Sequence, residues 1–131
     1  MITLKRIRKI HSAALRIDKK RDPNDYAPGE RYIAILEIML EYKVNEENSV
    51  FDNAAIALHT IAAEHPFVNG NKRTAYLTAR MILEEEGYAL VASKDEKVRF
   101  VVAVATPEKE ISIEQIKAWL NKYAEKRLVL P

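Results

Sequence analysis

The chain has 131 residues, 48% of them hydrophobic and 31% charged, with a net charge of +2. That balance describes a soluble globular protein with room for one hydrophobic core, and it excludes a collagen-like or wholly disordered chain. Cysteine is absent, which excludes disulfides, thiolate metal sites and a cysteine nucleophile and leads us to expect a cytoplasmic location. No stretch is long and apolar enough for a signal peptide or a membrane span, so no membrane partner is expected.

The first segment carries Lys5, Arg6, Arg8, Lys9, Arg16, Lys19, Lys20 and Arg21 against a single acid, Asp18. Apolar residues at Ile2, Leu4, Ile7, Ile10, Ala13, Ala14 and Ile17 predict a helix over about 3–20. Its cations read as a solvated face, because no aromatic residues interleave them; direct nucleic-acid binding is not expected. His11 on this helix reads as a packing or surface residue. A polar connection runs from Arg21 to Pro28, broken by Pro23, Asn24 and Asp25. Pro28 or Gly29 then opens a second helix with Ile33, Leu36, Met39 and Leu40 on one face.

Ser49 followed by Asp52 starts a third helix that reaches about Glu64. Its alanines at 54, 55, 57, 62 and 63 suit a central helix that neighbours approach closely. A fourth helix spans about 71–86, with Ala75, Leu77, Met81 and Ile82 buried and Gly87 as its left-handed cap. Tyr88 to Ala92 reads as a short extended piece. Ser93 with Glu96, and Ser112 with Gln115, are capping boxes for helices five and six. Helix five contains Val98, Phe100, Val101, Val102 and Val104, a composition that favours strand. The capping signal and helical surroundings make it a helix. Residues 1–131 are expected to form a single all-α domain, a compact bundle of about six helices.

Between helices three and four stands His65-Pro66-Phe67-Val68-Asn69-Gly70-Asn71-Lys72-Arg73-Thr74. A helix start offers unpaired N–H groups and the positive end of a dipole, which makes it a seat for phosphate. Lys72 and Arg73 oppose that dipole by about 0.3–1 kcal/mol each when exposed. A local rule broken in this way points to a site, although Glu84, Glu85 and Glu86 break the same rule at the other end of the helix. Histidine titrates near neutrality and can take a hydroxyl proton, so His65 is the candidate base. Phe67 reads as an apolar anchor, Gly70 as a residue allowing positive φ or close approach, and Asn71 first as the helix cap, with holding the loop or touching a ligand as alternatives. Lys72 and Arg73 read as the phosphate grip. His59 lacks helical metal-pair spacing to His65, and Tyr76 reads as packing.

His65 to Arg73 resembles the Fic motif, which runs His-x-Phe-x-Asp/Glu-Gly-Asn followed by Gly-Arg or Lys-Arg. The Asn71-Lys72-Arg73 form, continued by Thr74-Ala75, is similar to the death-on-curing (Doc) branch, toxins of toxin–antitoxin pairs. The resemblance implies that His65 activates a hydroxyl on a target protein. It also implies that Asn69, Gly70, Asn71, Lys72 and Arg73 hold nucleotide phosphate, with Lys72 and Arg73 stabilising transferred charge. By that likeness the chain would move the γ-phosphate of ATP to a translation factor of the elongation factor Tu type. It would be held in check by a Phd-like antitoxin with an intrinsically disordered tail. Lys72 in place of glycine, and Tyr76 where AMP-transferring members have a second arginine, favour the Doc-type reading over AMP transfer. Asn69 stands where the family has the acid that binds Mg²⁺; an amide there implies weak metal binding or a catalytically impaired binding module. The segment Arg21 to Tyr26 lacks the Gly-Gly turn common in relatives, and no Ser/Thr-x-x-x-Glu-Gly/Asn inhibitory run is present.

Overall fold

The computed structural model describes residues 1–21 and 27–127. Among them six α-helices form a compact bundle: α1 (Leu4–Arg21), α2 (Ile33–Ile38), α3 (Val50–Glu64), α4 (Asn71–Glu85), α5 (Lys94–Val104) and α6 (Ile113–Tyr123). The expected all-α class is therefore what forms. Two short strands, β1 (Tyr88–Leu90) and β2 (Ala124–Lys126), pair antiparallel with Tyr88 opposite Lys126. The extended piece at Tyr88 was legible, but its partner was not. The pairing ties the end of α6 back to the end of α4.

Helix α3 is the axis of the bundle and packs on α4, α6, α5 and α2. Its start is sealed by the expected capping box, in which Ser49 Oγ accepts from the Asp52 N–H at 3.1 Å. Ala54, Ala55, Ala57 and Ala62 are fully buried, and their small side chains let neighbouring backbones approach. Around them Leu58 and Ile61 meet Leu36, Met39, Leu83, Ile116 and Leu120 in one hydrophobic core. Burying a side chain of this size contributes about 1.5–3 kcal/mol. Helix α5 forms despite its β-branched content because Ser93 and Glu96 make their capping box and Val101 and Val104, one turn apart, both reach the core. Val98 and Val102 stay half-exposed.

Three expectations are corrected. The buried face of α1 is Ile7, His11, Ala14 and Leu15, with Ile17 left 39% exposed. The i, i+4, i+7, i+8 set makes a tighter stripe than the longer apolar series did. Helix α2 starts at Ile33 rather than at Pro28 or Gly29. The preceding N–H groups of Arg31 and Tyr32 are both spent on the Pro66 carbonyl, at 2.7 and 2.9 Å, so the chain there is tied to the loop and not yet helical. Asn71 is the first residue of α4 and not its cap, because Gly70 at φ +80° takes the capping position.

Helices α1 and α4 run antiparallel, pinned at one end by an ion pair between Arg6 and Glu85 and at the other by Arg73 and Asp18. Arg80 takes Glu84 at 3.3 Å, so two of the three acids ending α4 have basic partners. The end of α4 is turned by Gly87 at φ +86°, as expected. Inside the same helix the hydroxyls of Thr74 and Thr78 are buried and find no hydrogen-bond partner among the described residues.

Candidate functional site

The loop between α3 and α4 is held from three sides. From within, the Asn71 side chain clamps it: Nδ2 donates to the Phe67 carbonyl at 2.9 Å and Oδ1 accepts from the Phe67 N–H at 3.0 Å. Both bonds are buried, so the amide substitutes for a strand neighbour at a place where water cannot. Phe67 is 1% exposed and is the anchor its chemistry implied.

From below comes α1. The His11 ring stacks on Phe67, centroids 3.7 Å apart and planes 10° off parallel. Its Nε2 lies 2.8 Å from the Asn69 carbonyl oxygen; a carbonyl only accepts, so Nε2 carries a proton and donates. Burial pushes the His11 imidazole below its ordinary pKa, opposed by that hydrogen bond and by Glu30 and Asp18. Leu15 covers Gly70: a Cβ added there would meet Leu15 Cδ2 at 3.2 Å in a conformation, φ +80°, that side chains rarely adopt. Gly70 is thus required for both reasons.

From the side comes the segment before α2. Glu30 bridges antiparallel to Phe67, and the Val68 N–H donates to the Gly29 carbonyl at 3.1 Å. The Asn69 amide joins in. Turned so that both its ends are satisfied, its oxygen accepts from the Ala27 N–H at 3.0 Å and its nitrogen donates to the Val68 carbonyl at 2.9 Å. The expected break at residues 22–26 lies outside the described residues.

The loop so held presents two chemistries. At its start His65 closes α3 in the left-handed region, φ 52° and ψ 61°. Its Nδ1 lies 3.1 Å from the Ala63 carbonyl oxygen; a carbonyl only accepts, so Nδ1 donates and, in the neutral ring, the lone pair is on Nε2. At its end α4 begins without a side-chain cap. The Gly70 carbonyl takes the first helical bond, from Thr74 N–H at 3.0 Å. The N–H groups of Asn71, Lys72 and Arg73 are left without backbone acceptors among the described residues. Lys72 is exposed. Arg73 is turned toward α1, where its Nε donates to Asp18 Oδ1 at 2.8 Å.

Asn69, Gly70, Asn71, Lys72 and Arg73 therefore stand together at one helix start, with His65 at the opposite end of their loop. Tyr76 is buried at 8% exposure, in keeping with packing. The Asn69 oxygen is already engaged and the loop contains no carboxylate, so these residues do not fit a hard divalent cation. Among the described residues no three His, Cys, Asp or Glu side chains gather as a metal site. A cleft of ≈ 530 Å³ beside Ile2, Glu46, Asn53, Glu85 and Tyr88 includes none of the loop residues.

Sequence reasoning gave His11 as a packing or surface residue and assigned Asp18 no role. A helical wheel was the available signal, since both fall on the face that Ile7 buries, two turns apart.

Two central helices joined by a clamped loop with a buried Phe67 anchor define the class: an all-α bundle consistent with the Fic/Doc fold. The Fic/DOC family matches residues 1–83, from the chain start through nearly all of α4, and the chain belongs to that family. No curated protein matches it. Fic/Doc proteins are typically transferases that act on other proteins and take ATP as substrate. No helix among the described residues is long and apolar enough to cross a membrane.

Proposed function

We propose that this protein is a Doc-type protein kinase that moves the γ-phosphate of ATP to a hydroxyl of a translation factor of the elongation factor Tu type. In this reading His65 takes the hydroxyl proton, and Lys72, Arg73 and the open N–H groups of α4 hold phosphate as charge builds in transfer. The observation that carries it is the His65 tautomer. With Nδ1–H donated to the Ala63 carbonyl, the basic nitrogen is the one left to meet an incoming hydroxyl. Transfer of phosphate rather than AMP is supported by α4 itself. Buried Tyr76 puts no second cation on the helix after Arg73, and the next one, Arg80, is paired with Glu84.

A Phd-like antitoxin with a disordered tail is the expected partner in this scheme. The direct test incubates the protein and its target factor with ATP labelled at the α- or the γ-position. γ-Label on the target is the expected outcome; α-label would assign AMP transfer instead, and no label of either kind would end the transferase reading. His65→Ala should lower transfer by about 10²–10⁴-fold with the melting temperature unchanged.

A further inference from the structure

We propose that Asp18 is the positioning residue for Arg73, and that α1 thereby sets the direction of the phosphate grip. The proposal rests on the transferase reading above and names a device within that site. Arg73 sits in the first turn of α4, where the helix dipole disfavours a cation. Nothing in its own helix turn neutralises it, since Asn71, Lys72 and Thr74 carry no acid. The acid comes from α1: Asp18 Oδ1 accepts from Arg73 Nε at 2.8 Å. Nε is a single donor at the elbow of the guanidinium. Engaging it orients the plane while leaving the four terminal N–H bonds for a phosphate, which suits bidentate binding.

Asp18 is also the one acid on an otherwise cationic helix. Its position is fixed independently of the pair. His11, two turns earlier on the same face, hydrogen-bonds the Asn69 carbonyl, and Leu15 between them covers Gly70. One helix face thus touches the loop carbonyl, the glycine and the arginine in succession. At about a third exposed on either side, the ion pair adds little to stability, so its effect should fall on geometry.

This gives a split that simple structural damage would not. Asp18→Asn should lower kcat about tenfold or more, because a misaimed group costs most in the transition state. The KM for ATP should stay the same or fall, since a negative charge has left the neighbourhood of an anion. Asp18→Glu should recover part of kcat. In an Arg73→Ala background Asp18→Asn should cost nothing further, since its effect runs through the guanidinium. The measurement is steady-state transfer from γ-labelled ATP by the parent, the three Asp18 and Arg73 single variants and the Asp18→Asn, Arg73→Ala double variant, with melting curves alongside. A parent that transfers no γ-label overturns the kinase reading and this inference together. A parent that transfers label, with Asp18→Asn equally fast or additive with Arg73→Ala, overturns the role of Asp18 alone.

Discussion

Helices α3 and α4 are each 15 residues long, pack against one another, and begin in opposite ways. The start of α3 is closed: the Ser49 hydroxyl takes the Asp52 N–H, and the Asp52 carboxylate reaches back to the Ser49 N–H at 3.3 Å. The start of α4 is open. Its capping position is Gly70, which has no side chain, and the nearest amide, Asn71, faces backwards onto Phe67. Where α3 has an acid in its first turn, α4 has none and carries Lys72 and Arg73. Under the proposed function the open start has a use: α3 is sealed by its own residues, whereas α4 would be left free for phosphate and is secured by the loop before it.

Asn71→Ala should break the comparison most severely. It would leave the buried N–H and carbonyl of Phe67 unpaired, at about 1–3 kcal/mol for each group. We expect a loss near 3 kcal/mol in denaturant unfolding, together with loss of ATP affinity by calorimetry. Ser49→Ala removes the seal of α3 and should cost about 1 kcal/mol with ATP affinity untouched. A change in ATP affinity there would show that the two helix starts are not separable. The smallest effect should come from Thr78→Val, which removes a buried hydroxyl with no partner among the described residues. A gain of about 0.5–1 kcal/mol is expected, measured as a raised denaturation midpoint. A loss would mean that the hydroxyl is satisfied in solution.

The elements of this fold were legible where they rest on local chemistry. Ser49, Ser93 and Ser112 announced three helix starts, and the same rule outweighed the valines of α5. The loop was legible for a different reason: its residue types are costly or unusual at a helix junction unless something uses them. What stayed hidden depends on contacts between distant segments. Pro28 and Gly29 looked like a helix start because no local signal says that the next N–H groups go to Pro66. Asn71 looked like a cap because its pairing with Phe67 requires the loop to be already folded. The acids at the end of α4 looked as anomalous as the cations at its start. The partner helix pairs one residue at each end: Glu85 meets Arg6 and Arg73 meets Asp18, while Lys72 has no acid partner among the described residues. Asp18 read as a stray acid in a basic run until α1 was laid against α4.

The reach of these contacts along the chain bears on how the protein is made. His11 and Asn69 are 58 residues apart, and Asp18 and Arg73 are 55. Contacts of that range form slowly, because a long stretch of chain must be ordered before they repay its entropy. During synthesis, helix α1 leaves the ribosome well before the loop it supports exists. The His65–Arg73 segment should therefore take its final shape only once α1 and α4 have docked, so a chain stopped before that would carry the signature residues without their arrangement.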